Sequence, residues 1–426
     1  MEDLTHLVGL LKALDDKLIK CMKCGFCQAV CPLYNETFKE SDTSRGKVAI
    51  LEGLADSLFK NTKIASDRVN RCVTCGSCEA NCPSGVDTLD IFYHSRIILS
   101  EYNGLPLAKK IIFRNMLAKP VVFDSLLKLG STFQNIFLKE ANEDMQTSCV
   151  KYFPQLKDRH IKKLVKQPFH KRIRKEVNDT KESKVLFFYG CVIDRMLPSI
   201  GEGVVKVLNK YNINTIIPEK LICCGIPALA SGDMKGFTGI LRQQVKLMEH
   251  ISFDYIVSAC ATCSYTLKKI WKDYSYRLSK KERDIILDFS SKTLDINEFL
   301  INVLKIDYNK EQKNNKYRIT YHDPCHLKKS LKISDEPRKI IAMSGHSYSE
   351  LPEADWCCGA GGSFNLQHYD LSYNIGLRKI NNIDSITPDI VASSCPGCIL
   401  QILDLASQNN KNYKVKHIIE LLAENM

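Results

Sequence analysis

Eighteen of the nineteen cysteines in this chain fall into spaced groups, and those groups are where the sequence offers chemistry. Eight thiols lie before residue 83, ten lie between 191 and 398, and Cys149 stands alone. Two stretches, ICCGIP from 222 and WCCGAGG from 356, place cysteines side by side with glycine directly after them. In an extended strand neighbouring side chains point to opposite faces, so such a pair could not serve one partner. Glycine changes that, because it reaches backbone angles closed to other residues and lets the chain turn both thiols to one side. The later ten cysteines form a repeat: Cys191, Cys223, Cys224, Cys260 and Cys263 recur as Cys325, Cys357, Cys358, Cys395 and Cys398. The first three shift by 134 residues and the last two by 135, which signals a duplicated domain.

The first eight cysteines form two runs, CMKCGFCQAVCP from Cys21 and CVTCGSCEANCP from Cys72. Both read C-x2-C-x2-C-x3-C-P, the bacterial two-cluster ferredoxin spacing, in which the fourth cysteine of each run ligates the other cluster. Three close thiolates wrap one corner of a cube and the proline turns the chain away. One [4Fe–4S] cluster is then expected on Cys21, Cys24, Cys27 and Cys82, and the other on Cys72, Cys75, Cys78 and Cys31. Zinc held by C-x2-C pairs is the competing reading, and two full four-cysteine runs with their prolines argue against it.

Each later copy carries five cysteines, one more than a tetrahedral zinc site uses. The pattern resembles the cysteine-rich CCG domain of heterodisulfide reductase catalytic subunits. That resemblance implies a non-cubane [4Fe–4S] cluster on the five thiolates of each copy, with zinc or an empty site in one copy as the alternative. In YHDPCHL, His322 and His326 flank Cys325, where they would bond a cluster sulfur, pass protons or simply satisfy a loop. Asp323 with Pro324 reads as turn chemistry. Cys149 reads as a structural thiol, and Arg45 either orders the first cysteine loop or lies on the surface.

The elements that must position these groups differ between the two parts of the chain. In the first copy KVLFFYGC, TIIPEKLICCG and DYIVSACATC read as buried strands, with GVVKVLNKY and GILRQQVKLMEH of helical period between them. YRITYHDPC, YSELPEADWCCG and DIVASSCPGC take the strand roles in the second. This βαβ alternation predicts parallel sheets, with every cysteine group just past the C-terminal end of a strand, where open α/β sheets place their ligands. The expected class is therefore α+β multidomain: a helical two-cluster ferredoxin domain over 1–104, two amphipathic helices broken at Pro120 and a basic linker over 105–182, then tandem α/β CCG domains over 183–312 and 313–426.

Composition bounds the rest. With 426 residues, 44% hydrophobic and 8% aromatic, the chain reads as globular and needs no disulfide staples. MEDLTHLVGLLKALDDKL lacks the basic and apolar regions of a signal peptide, and no run is apolar enough to span a membrane. A reducing cytoplasm is the expected location, with the inner face of the membrane as a variant. The formal charge of +12 comes from 60 basic and 48 acidic side chains and counts every thiol as neutral. Metal-bound thiolates would cancel much of it. No aromatic platform interleaves the basic residues, so nucleic acid is not an expected partner.

Over essentially its whole length the chain resembles the glycolate oxidase iron–sulfur subunit and heterodisulfide reductase D-subunit family, through its cysteine spacing, YHDPCHL and CCGAGG. No glycine-rich dinucleotide fingerprint opens a strand–turn–helix, so hydride removal would need a flavoprotein. The resemblance implies an electron-transfer subunit of a glycolate- or lactate-type 2-hydroxy-acid dehydrogenase complex. Its donor would be an FAD-containing subunit and its acceptor a quinone, a membrane carrier or another acceptor. A disulfide-reducing catalytic subunit and an anaerobic glycerol-3-phosphate dehydrogenase C-type subunit are the alternatives. Residues 105–138 with the basic stretch Lys151 to Lys175 suggest peripheral contact with an anionic bilayer, although packing on the ferredoxin domain is the commoner use.

Overall fold

A computed structural model describes residues 2–12, 14–142, 145–148, 159–173, 183–307 and 316–426. Cys149 and residues 151–158 and 174–175 of the basic stretch from Lys151 to Lys175 lie outside the described residues.

The N-terminal part is helical, as its period predicts. Helices Glu2–Lys12, Ser44–Ala55, Thr62–Asn70 and Thr88–Asn103 bury Leu7, Leu11, Leu51, Leu54, Val69 and Phe92 in one core. Polar side chains fix where three of them start: Thr43 accepts from Gly46 N, Asn61 from Ile64 N and Asp87 from Asp90 N. Each cysteine run forms a loop with a single helical turn, Phe26–Ala29 or Ser77–Ala80, entered through Gly25 at φ +94° and Gly76 at φ +71°.

The duplicated part contains two four-stranded sheets, parallel throughout. Strands are numbered in chain order, after β1 (Leu138–Glu140), β2 (Met145–Ser148) and β3 (His160–Lys162) of a small separate sheet. The first copy comprises β4 (Lys184–Phe187), β5 (Asn214–Ile216), β6 (Tyr255–Ser258) and β7 (Thr293–Asp295). The second comprises β8 (Arg318–His322), β9 (Ser347–Tyr348), β10 (Ile390–Ser393) and β11 (Lys414–His417). Their spatial orders, β5-β4-β6-β7 and β9-β8-β10-β11, are the same, so the repeat in the cysteines is a repeat of the whole fold. The short edge strands β7 and β11 add to the three strands read from each copy. The vicinal cysteines sit in loops beyond β5 and β9 rather than on strands. Ile256, Val257, Val391 and Ala392 on the central strands are fully buried, as parallel sheets covered on both faces require.

Between the two parts, helix Leu107–Lys110 runs into a wider turn, Ile111–Met116, and Pro120 starts a second helix, Pro120–Phe137. Proline fits that first position because it has no N–H to leave unpaired. The stretch read as linker carries more structure than expected. Strands β1 (Leu138–Glu140), β2 (Met145–Ser148) and β3 (His160–Lys162) form an antiparallel sheet. Arg114 holds Asp233 through two bonds of 2.7 and 3.0 Å, tying this segment to the first copy. Among its described side chains, helix Pro120–Phe137 is inverted relative to an ordinary surface helix. Ser131 is buried and Gln134 exchanges hydrogen bonds with the Leu164 backbone, while Val122, Leu126, Leu129 and Phe133 remain 40–57% exposed.

Candidate metal centres

The N-terminal domain contains two cysteine-lined cavities. One is lined by Cys21, Cys24, Cys27 and Cys82, the other by Cys31, Cys72 and Cys75, and Cys78 reaches both. The fourth cysteine of each run thus lines the cavity of the other run, the crossing that the spacing predicts. Thr74 N and Val86 N point at Cys72 Sγ and Cys82 Sγ, each at 3.4 Å. Arg45 bonds the Lys23 carbonyl at 3.2 Å, so it does order the first loop. Burial pushes the Cys31 thiol up to about 12, so it keeps its proton until a metal displaces it.

A third cavity, of about 250 Å³, is lined by all ten cysteines of the two copies. In each copy the first cysteine follows the central strand β4 or β8, and the C-x2-C pair follows β6 or β10. The vicinal pair is brought in by the glycine turn. Gly225 sits at φ +97° and Gly359 at φ +89°, both in the left-handed region. Their N–H groups donate to the first sulfur of each pair, Gly225 to Cys223 at 3.5 Å and Gly359 to Cys357 at 3.4 Å. A Cβ on Gly359 would lie 2.3 Å from the Ser372 carbonyl oxygen, so glycine is required there twice over. The two thiols of each pair then reach different partners within one site: Cys223 reaches Cys191, and Cys224 reaches Cys263. Cys357 reaches Cys325, and Cys358 reaches Cys398.

The sites adjoin one another. Cys260 of the first copy lies within bonding reach of Cys395 of the second. Cys75, which lines the inner ferredoxin cavity, reaches both Cys325 and Cys357. Leu33, Val73, Phe364 and Ile375 seal that contact in an apolar cluster with these three cysteines. Sulfur-only sets of this size, buried and met by backbone N–H groups, fit iron–sulfur clusters and exceed what tetrahedral zinc uses.

The histidines of YHDPCHL are both placed. His326 Nε2 donates to the Thr74 carbonyl at 3.2 Å, and Nδ1 accepts from Thr262 Oγ1 at 3.1 Å, so one side chain pins a ferredoxin loop to both copies. Its ring stacks on Tyr265, with centroids 4.7 Å apart. His322 is fully buried and its Nδ1 donates to the Ala354 carbonyl at 3.1 Å. Asp323 does more than shape a turn: it takes two bonds from Arg338, at 2.9 and 3.0 Å, and one from Lys328 at 3.1 Å.

The buried Lys47 and Lys379 and the partly buried Lys329 escaped the sequence reading, because a lysine of helical spacing looks solvated until tertiary contacts cover it. Lys47 bonds the Asp42 carbonyl near Cys31. Lys329 bonds Ser77 Oγ at 2.6 Å and the Asp355 carbonyl at 2.8 Å. Lys379 bonds the carbonyls of Glu353 and Ala354. Burial opposes charge on Lys329, but the sulfurs of Cys325 and Cys75 outweigh it and hold the pKa above the ordinary lysine value. Burial brings Lys379 down to about 8. These cations face sites that become more negative when thiols ionise onto metal.

Comparison with known proteins agrees with this layout. Residues 17–86 match the 4Fe-4S dicluster domain, and residues 185–268 and 319–403 each match the cysteine-rich CCG domain. The probable glycolate oxidase iron-sulfur subunit of Bacillus subtilis is 24% identical over 428 residues, covering 96% of this chain and 94% of that protein. The glycolate oxidase iron-sulfur subunit of Escherichia coli is 23% identical over 417 residues, covering 96% and 94%. Lactate utilization protein A 2 of Bacillus cereus is 28% identical over 245 residues, which is 57% of this chain and 99% of that protein. With both cysteine runs and both five-cysteine sets in place, this chain belongs to the iron–sulfur oxidoreductase subunits that join a 4Fe–4S dicluster domain to two cysteine-rich CCG domains.

Proposed function

We propose that this chain is the electron-transfer subunit of a flavin-dependent 2-hydroxy-acid dehydrogenase complex of the glycolate or lactate class. Cys21, Cys24, Cys27 and Cys82 hold the outer cubane, and Cys31, Cys72, Cys75 and Cys78 the inner one. Cys191, Cys223, Cys224, Cys260 and Cys263 hold one non-cubane cluster, and Cys325, Cys357, Cys358, Cys395 and Cys398 the other. Bound there, the clusters supply one-electron carriers. The observation that carries this reading is continuity: Cys78 is shared by the two ferredoxin cavities, Cys75 reaches the second copy, and Cys260 meets Cys395. Beyond the outer site, where Cys24 is exposed, buried side chains such as Leu33, Val73, Phe364 and Ile375 insulate that path, with Lys47, Lys329 and Lys379 beside the negative sites. The donor is an FAD-containing dehydrogenase subunit, and the acceptor is a quinone or another carrier. The outward apolar side chains of helix Pro120–Phe137, with the exposed Lys119 before it and Lys128 on it, support peripheral contact with an anionic bilayer.

The test is an anaerobic pull-down of the native protein with flavin absorbance recorded. A co-purifying flavoprotein that bleaches the clusters when glycolate or lactate is added supports the reading. Purification with a hydrogenase-type or cytochrome b partner and no flavoprotein contradicts it. One observation favours a second reading, direct reduction of a disulfide-type substrate: both five-cysteine sets line a single cavity of about 250 Å³.

A further inference from the structure

His322 ends β8, three residues before Cys325, deep inside the second copy. Its Nδ1–H donates to the Ala354 carbonyl, which fixes the tautomer and leaves the Nε2 lone pair free in the neutral ring. Nε2 is buried, has no oxygen or nitrogen partner among the described residues, and faces the Cys358 sulfur. A ring nitrogen of His322 and the sulfurs of Cys358 and Cys398 all lie within 4.8 Å of one another. Since Nδ1 is engaged by Ala354, Nε2 is the atom available to that group. A buried ring nitrogen whose neighbour is sulfur, a weak hydrogen-bonding group, is costly to keep. A lone pair held against two sulfurs becomes more costly once those sulfurs are thiolates, unless a cation lies between them.

The first copy supplies an internal comparison. The residue equivalent to His322, three before Cys191, is Phe188. The equivalence is structural as well: Ser258 Oγ donates to the Phe188 carbonyl at 2.9 Å, and Ser393 Oγ donates to the His322 carbonyl at 3.3 Å. Phe188 packs edge-on against Trp271, with ring centroids 6.1 Å apart. An apolar ring therefore satisfies the fold at this position, and the imidazole serves something particular to the second site.

We infer that His322 Nε2 is a metal ligand, so that the second cysteine-rich site takes an iron centre of mixed sulfur and nitrogen ligation while the first takes sulfur alone. Imidazole is a competent iron ligand, and a ligating histidine characteristically donates its other N–H to a carbonyl, as Nδ1 does here. This inference rests on the reading that the second site holds iron, and the experiment separates the two.

The experiment is a crystal structure of the anaerobically purified full chain with anomalous data at the iron edge. Iron in the second site with Nε2 at about 2.0–2.1 Å, an ordinary imidazole–metal distance, is the expected result. Iron there with Nε2 at a hydrogen-bonding distance from sulfur makes His322 an N–H donor only and overturns the assignment. No iron there overturns the underlying reading as well. His322→Phe, which reproduces the residue of the first copy, gives a second readout. In protein labelled with ¹⁵N-histidine, the strong nitrogen coupling to the reduced cluster should disappear in the variant while the cubane signals remain. Persistence of that coupling in the variant would refute the inference.

Discussion

Cys260 and Cys395, which occupy the same position in the two copies of the repeat, lie within bonding reach of each other. Equivalent residues meet only near the axis that relates the copies, and both five-cysteine sets face one cavity there. Ala261 N donates to the Ser394 carbonyl at 3.1 Å beside that contact. The shared cavity follows from this arrangement.

The crossing of the ferredoxin runs predicts an asymmetric result for one substitution. Cys31→Ser belongs to the first run by sequence but should remove the inner cluster, because Cys31 lines the cavity of Cys72, Cys75 and Cys78. Iron content should fall by about four atoms per chain, with the outer cubane retained. Loss of the outer cluster instead would mean that each run serves its own site.

Gly359→Ala tests the turn that makes adjacent cysteines useful. The left-handed backbone and the overlap with the Ser372 carbonyl should together cost about 2–4 kcal/mol. The second cysteine-rich site should lose metal while both cubanes stay loaded. Iron analysis with cubane spectra checks this, and full loading of the variant would show that the turn does not govern the site.

Lys329 stands between the inner ferredoxin site and the second copy, bonded to Ser77 on one side and Asp355 on the other. Lys329→Met removes a positive charge near sites that gain an electron on reduction. Their potentials should drop, on the order of 50–100 mV, the equivalent of about 1–2 kcal/mol for one electron. A redox titration of the variant reads this directly, and unchanged or higher potentials would contradict it.

Asp295 gives a pH dependence with a definite sign. Burial raises its carboxyl to about 7, although Asn297 and Ser264 donate to it. The folded state therefore binds this proton more tightly than the unfolded chain, whose aspartates titrate near 4. The stability this group contributes is complete below about pH 4 and is lost as pH rises through about 7. Asp295→Asn should flatten the fall in thermal stability between pH 5 and 8, and an unchanged slope would rule this group out.

Much of the metal chemistry was legible in the sequence because ligand spacing is local: loops of three thiols and a glycine after each vicinal pair are written in consecutive residues. The repeat was legible for a similar reason, as a constant offset. What escaped depends on tertiary contact. Strands TLD at 293 and KVKH at 414 are too short for an alternating pattern to stand out, and only pairing with β6 and β10 makes them strands. Lys329 is covered by contact with Ser77 of the ferredoxin part, and Lys379 by the Glu353 and Ala354 carbonyls, distant from it in sequence within its own copy. Ser131 inward and Leu129 outward on helix Pro120–Phe137 reverse what hydrophobic period alone predicts.

That reversed helix can be tested with vesicles. Leu126→Glu with Leu129→Glu should abolish flotation with anionic liposomes at low salt while leaving iron content unchanged. Flotation by the double variant equal to that of the natural chain would remove the bilayer from the account.

The most direct test of the central claim, four adjoining clusters in one chain, is the iron and acid-labile sulfide content of the anaerobically purified protein, read with its Mössbauer spectrum. The account predicts about sixteen iron atoms per chain, half of them in cubanes and half in a second spectral class. About eight iron atoms, all of cubane type, would contradict it and leave the paired cysteines of the two copies without a redox role.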